Sequence, residues 1–105
     1  MTANNPLFMH YRNHNTDGSI ASNGGMTVAI LIDPDDQQSA LVGISRCKDN
    51  EVFNKKIGRD VALGRMRAWS EGRSSDRINT NVFQLKLSDP ENPKMSVDSF
   101  IEEIR

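Results

Sequence analysis

Hydrophobic positions follow two rhythms along this chain, and the change between them falls near residue 50. Met26-Thr-Val-Ala-Ile-Leu-Ile32 is aliphatic or β-branched at odd and even positions alike, the pattern of a strand covered on both faces. Asp33-Pro-Asp-Asp-Gln-Gln38 then marks a reversal, because proline presets φ and the carboxylates cap turns. Ser39-Ala-Leu-Val-Gly-Ile-Ser-Arg46 returns as the antiparallel neighbour, so residues 26–46 are expected to form a hairpin. Leu7 to Arg12 is a shorter strand, followed by a segment whose Asp17-Gly18 pair signals a tight turn. Ser22-Asn-Gly-Gly25 has phosphate-loop glycines without a Gly-Lys-Ser/Thr ending or a following helix, and is expected to be a strand connection.

Beyond residue 50 the spacing lengthens to that of a helix. Asp49 or Asn50 is the expected N-cap, with Glu51 in the first turn against the positive end of the helix dipole, and the helix is expected over 51–69. Stepping 100° per residue from Ile57 brings Phe53, Val61, Gly64 and Ala68 within roughly 40° of it, which predicts the face laid on the sheet. Val52, Ala62, Leu63, Met66 and Trp69 collect on the other side. One small sheet cannot cover both, so Leu63, Met66 and Trp69 are expected to meet a second copy of the chain. Gly72 to Thr80 is a polar loop, and Asn81 to Leu87 alternates as a strand with one buried face. Pro90 and Pro93 interrupt the chain before a short helix from Ser96 that Ser96 or Ser99, with Glu102, would cap. The pattern predicts an α+β fold in one domain, residues 1–105: an antiparallel sheet of three to four strands packed on one main helix, plus a short C-terminal helix.

Composition narrows the function. The net charge of −1 conceals a local excess: Arg46 to Arg73 holds eight basic residues against four acidic ones, while the flanking segments are acidic. Lys55 and Arg59 share one ridge of the helix, with Lys56 at its shoulder, a spacing that can grip two phosphates. Phe53, a turn earlier, offers a stacking face to a base. Gly58 and Gly64 each cost a helix about 1 kcal/mol relative to alanine, which is repaid where another backbone or a ligand comes close. No other constellation carries comparable chemistry. His10 and His14 fall on a strand and a turn, where a spacing of four does not bring imidazoles together. Asp33, Asp35 and Asp36 lack the glycine and distal glutamate of a calcium loop. Cys47 is the single cysteine, flanked by Arg46 and Lys48, and pairs with nothing inside the chain. No metal set, cofactor motif, triad or carboxylate pair is visible, so a non-enzyme is expected. Met1 to Pro6 has no signal-peptide pattern and no apolar run approaches membrane length, which points to the cytoplasm.

The order of a hairpin ending at Gly43-Ile-Ser-Arg-Cys-Lys-Asp49, then Phe53-Asn-Lys-Lys-Ile-Gly-Arg59 and Ala62-Leu-Gly-Arg65, resembles a pattern in small bacteriophage counter-defence proteins, the first Thoeris anti-defence family. These are sponges that sequester signalling nucleotides. The similarity covers about residues 26–67. It implies a non-catalytic oligomer in the host bacterial cytoplasm that holds a cyclic ADP-ribose isomer in pockets between subunits. Arg46, Lys55, Lys56, Arg59 and Arg65 would then supply charge to the diphosphate, and Phe53 or Asn54 would contact the base. Arg73 or Arg77 would complete the pocket from the part of the chain outside the match. The alternative is a host-takeover or anti-CRISPR-type inhibitor that grips a host nucleoprotein or nucleic acid through Lys55, Lys56, Arg59, Arg65 and Arg67. An overall pI near 6.1 weighs against a dedicated duplex binder.

Overall fold

Four strands and three helices make up residues 5–104, the part of the chain that a computed structural model describes. Strands β1 (Leu7–Tyr11), β2 (Asn23–Ile32), β3 (Ser39–Val52) and β4 (Val82–Lys86) form one antiparallel sheet in the order of the sequence. Helix α1 (Lys55–Ser70) lies on one face, a single turn α2 (Asp76–Asn79) follows it, and α3 (Pro93–Ile104) covers the other face. The α+β class, the hairpin and the C-terminal helix are those the pattern predicts. No helix among the described residues is long and apolar enough to cross a membrane.

Strand alternation distributes the core between two layers. Val28 opposes Ile44 and Ile30 opposes Val42, and these four fully buried side chains meet Val97 and Ile101 of α3. Phe83 and Phe100 close that layer edge to face, with ring centroids 5.0 Å apart. Thr27, Ala29, Leu31, Leu41 and Gly43 have the opposite parity, and there Ala29 packs with Ala62 and Met66 of α1. Ala29 and Ile30 are both fully buried, as a strand covered on both faces requires.

Several expectations need correction. The helix starts four residues later than expected: Asn54 is its N-cap, its side-chain carbonyl accepting from Ile57 N at 3.0 Å. Residues 47–52 continue β3 because β2 extends back to Asn23, pairing Gly25 with Cys47 and Asn23 with Val52 across an irregular register; Asn23, Gly24 and Gly25 therefore belong to a strand and not to a connection. Ser96 sits inside α3, where its hydroxyl accepts from Ser88 N, and the helix begins at Pro93, whose missing N–H costs nothing in the first turn. The polar loop contains α2, capped by Ser75.

The face of α1 that packs on the sheet also differs from the expected one. Ala68 is buried as expected, but its buried companions are Gly58, Ala62 and Met66, whereas Ile57 is 61% and Val61 36% exposed and a Cβ on Gly64 would meet nothing within 4 Å. The sheet side is chosen by small residues. A Cβ on Gly58 would lie 2.3 Å from Thr27 Oγ1, and one on Gly43 would lie 2.7 Å from the Ala62 carbonyl oxygen. Glycines on both partners draw the helix axis close, and Met66 fills the space that remains. Met66, expected at a subunit contact, is therefore spent within the chain, and Leu63 and Trp69 are half-buried beside it.

Candidate anion-binding site

Where β3 runs past the core, it shares with α1 a groove of about 470 Å³. Ile44 is the last fully buried residue of the strand, and the next ones, Ser45, Arg46 and Cys47, line the groove. Thr27 comes from β2, Phe53 and Asn54 from the junction, Gly58 and Arg65 from α1, and Arg77 from α2. Val52, Ile57 and Val61 add exposed apolar surface to it. Another depression of similar size, about 490 Å³, lies at the opposite end of the sheet around Leu31, Pro34, Leu41, Trp69 and Leu85. Its lining has only Asp33 and Lys86 as charged groups, so it lacks the chemistry of an anion site.

Three arginines give the groove its character. Arg65 is held by a 2.6 Å bond from Nη1 to the Ile44 carbonyl oxygen, which turns it from the helix toward the sheet. Arg46 donates to Asn81 Oδ1, and the same Asn81 amide is fixed by donation from Nδ2 to the Arg77 carbonyl oxygen at 2.7 Å. None of the three forms an ion pair among the described residues. Desolvation first, then the like charges of Arg77 and Arg46, push the pKa of Arg65 below its ordinary value. The first turn of α1 adds its own positive end and carries no acidic residue.

Phe53 forms a wall of this groove and is held in place from behind. Arg12 stacks on its ring with Cζ 4.4 Å from the centroid, and His10 meets it edge-on at 5.9 Å. The ring also covers Gly25, whose φ of +106° and lack of a side chain admit it; a Cβ there would lie 2.9 Å from the ring and 2.7 Å from the Tyr11 carbonyl oxygen. Cys47 directs its thiol toward the carbonyls of Lys48, Glu51 and Val52 at 3.3–3.7 Å, so the end of β3 curls around it.

The seven residues singled out in the sequence divide. Arg46, Phe53, Asn54 and Arg65 meet in the groove. Lys56 does not, being turned to solvent in a 2.9 Å pair with Asp60, and Lys55 and Arg59 lie toward β1, where Arg59 stands over Phe8. Thr27, Ser45 and Asn81 escaped sequence reading, as did the part played by His10 and Arg12. Period-two alternation of Phe8, His10 and Arg12 was the available signal for the last two. No cluster of three His, Cys, Asp or Glu residues able to hold a metal occurs among the described residues.

His10 carries a stability prediction. Desolvation first, then Lys55, Arg59 and Arg12, lower its pKa from the ordinary 6.5, so the fold favours the neutral ring. The unfolded chain therefore takes up the proton first: stability is full above pH 6.5 and declines as pH falls through that value toward the lower folded pKa. Asp17 and Asp36 are held below the usual carboxylate range by their serine neighbours and titrate outside this window. Melting temperatures measured from neutral pH to about pH 5 should fall, and the fall should shrink in His10→Gln.

No protein-family model, no curated protein and no solved structure matches the chain.

Proposed function

We propose that the chain is a non-enzymatic binder of a small phosphorylated nucleotide, of the cyclic ADP-ribose isomer class, and acts as a phage-encoded sponge that lowers the free concentration of a bacterial immune signal. The observation that supports this most is the convergence of Arg46, Arg65 and Arg77 on one groove without carboxylate partners. Guanidinium forks match phosphate oxygens two at a time, and neighbouring cations that lack counter-charge are stabilised by an anion that brings it. Phe53 and Asn54 supply a ring face and an amide for a base, and the hydroxyls of Thr27 and Ser45 supply neutral hydrogen bonds. Capture requires no acid–base pair, and the groove lining contains Glu51 as its single carboxylate.

Self-association belongs to the same reading, now through the exposed Ile57 and Val61 and the exposed end of β3 at Val52 in place of Met66. A second copy laid there would cover apolar surface and close the groove over its ligand.

Thermal shift with cyclic nucleotides tests the reading: hundredfold excess over Kd should stabilise the fold by about 2.7 kcal/mol. Denaturation should return the nucleotide chemically intact. Arg65→Ala should abolish the shift at that concentration while unliganded stability falls by about 1 kcal/mol for the bond to Ile44. No shift with any nucleotide would overturn the proposal. Duplex binding that weakens steeply with salt would favour the nucleic-acid alternative. Against that alternative, the cations of α1 do not form one row: Arg65 lies roughly 120° around the helix from Arg59 and bonds the sheet.

A further inference from the structure

A second set of basic side chains stands without carboxylate partners where the face of β1 looks toward α1. His10 Nδ1 is 3.2 Å from Thr27 Oγ1, which leaves Nε2 as the outward-facing nitrogen. Arg12 continues the face just past the strand; its Nη2 donates to the Ala21 carbonyl oxygen at 2.9 Å, and its Nε is buried with no partner. From α1, Arg59 has its guanidinium 5.7 Å from the Phe8 ring centroid, and Lys55 precedes it by one turn. Neither a hydrogen bond nor an ion pair ties Lys55 or Arg59 to a side chain among the described residues, and no carboxylate pairs with His10 or Arg12. None of the four lines the arginine groove, although His10 and Arg12 meet Phe53 and Arg59 meets Phe8 beside it, with Lys55 in electrostatic reach of His10.

We propose that His10, Arg12, Lys55 and Arg59 form a second anion subsite, distinct from the arginine groove, that takes a phosphate-class dianion. Two guanidinium groups, one ammonium and one imidazole offer donors of the kind that surround tetrahedral oxyanions. The subsite holds whether or not the groove captures a nucleotide. Its histidine makes it responsive to pH. The groups facing His10 are Arg12 from its own strand, Thr27 from β2, and Lys55 and Arg59 from α1; they include no acid. A bound dianion reverses that field, so the imidazole takes up a proton on binding and donates from both nitrogens, with Thr27 Oγ1 accepting from Nδ1. Affinity therefore rises as pH falls.

Sulfate is the probe, because it keeps its double charge throughout the range used. Titrated into the full chain and followed by the imidazole resonances of His10, with chloride at equal ionic strength as the reference, it should produce a saturable shift. Binding should be several-fold tighter near pH 6 than near pH 8, on the scale of about tenfold per unit of pKa change. Arg59→Ala should weaken it by about tenfold, and His10→Gln should bind with no pH dependence. Lys56→Ala removes an equal charge three positions before Arg59, next to Lys55, and should leave sulfate affinity unchanged. His10 resonances that respond to sulfate no more than to chloride would overturn the subsite. So would Lys56→Ala weakening binding as much as Arg59→Ala, since that would be bulk electrostatics.

Discussion

Gly43→Ala should lower the melting temperature by roughly 10 °C, a large effect for one methyl group. The added carbon would lie 2.4 Å from Met66 Cγ and 2.7 Å from the Ala62 carbonyl oxygen. A methionine side chain can adopt another rotamer, but a helix carbonyl cannot, so α1 must lift from β3 as a body. Lifting it loosens Ala62 and Met66 against Ala29 and loses dispersion contacts along the whole helix. Overpacking of this kind costs about 1–3 kcal/mol. Gly64→Ala, on the same helix, is the control: nothing lies within 4 Å of its added Cβ, so it should gain up to about 1 kcal/mol of helix propensity. Thermal melts of the two variants should move in opposite directions. Equal stability of Gly43→Ala and the parent chain would mean that α1 does not pack this closely.

Ile101→Ala should cost about 2–5 kcal/mol, a major share of a domain whose whole stability is of order 5–15 kcal/mol. Ile101 is fully buried between α3 and the sheet, beside Val97, Val28 and Ile30. Truncation removes transfer energy and opens a cavity that the rigid strands cannot collapse to fill. Urea unfolding monitored by far-ultraviolet circular dichroism and by a second probe of the sheet separates two outcomes. Coincident transitions moved to lower urea mean that α3 belongs to one cooperative core. A parent-like midpoint for the sheet would show that α3 contributes little to it.

What the sequence disclosed about the fold, and what it hid, follow from one physical asymmetry. Strands announced themselves because burial on both faces of the sheet demands apolar residues at every position, as in residues 26–32. Helix α1 was located but turned wrongly, since the angular argument looked for large hydrophobes while the contact is made by Gly43, Gly58, Ala62 and Met66. Close approach of backbones is invisible to a scale that scores side-chain size. The start of α1 was misplaced because Asp49, Asn50 and Asn54 are all competent caps, and only the pairing of Asn23 with Val52 reserves the first two for β3. The site was legible as a segment and not as a set. Phe53 was singled out by helical spacing and Arg46, Asn54 and Arg65 by the resemblance, and all four line the groove, but Asn81, which positions Arg46, comes from a turn with no charge to betray it.

The junction within β3 at Ile44 and Ser45 sets a rule for how such a site can vary. One uninterrupted strand delivers the last core residue and then the first groove residue, so both inherit a single alternating phase. An insertion of one residue between them would leave the strand seated up to Ile44 while Ser45 and Cys47, which share the parity of Gly43, turn to the face of α3 and Arg46 turns to the face of α1. Substitution changes one side chain at a time, whereas any odd change in the strand's length exchanges what its end presents to the two faces.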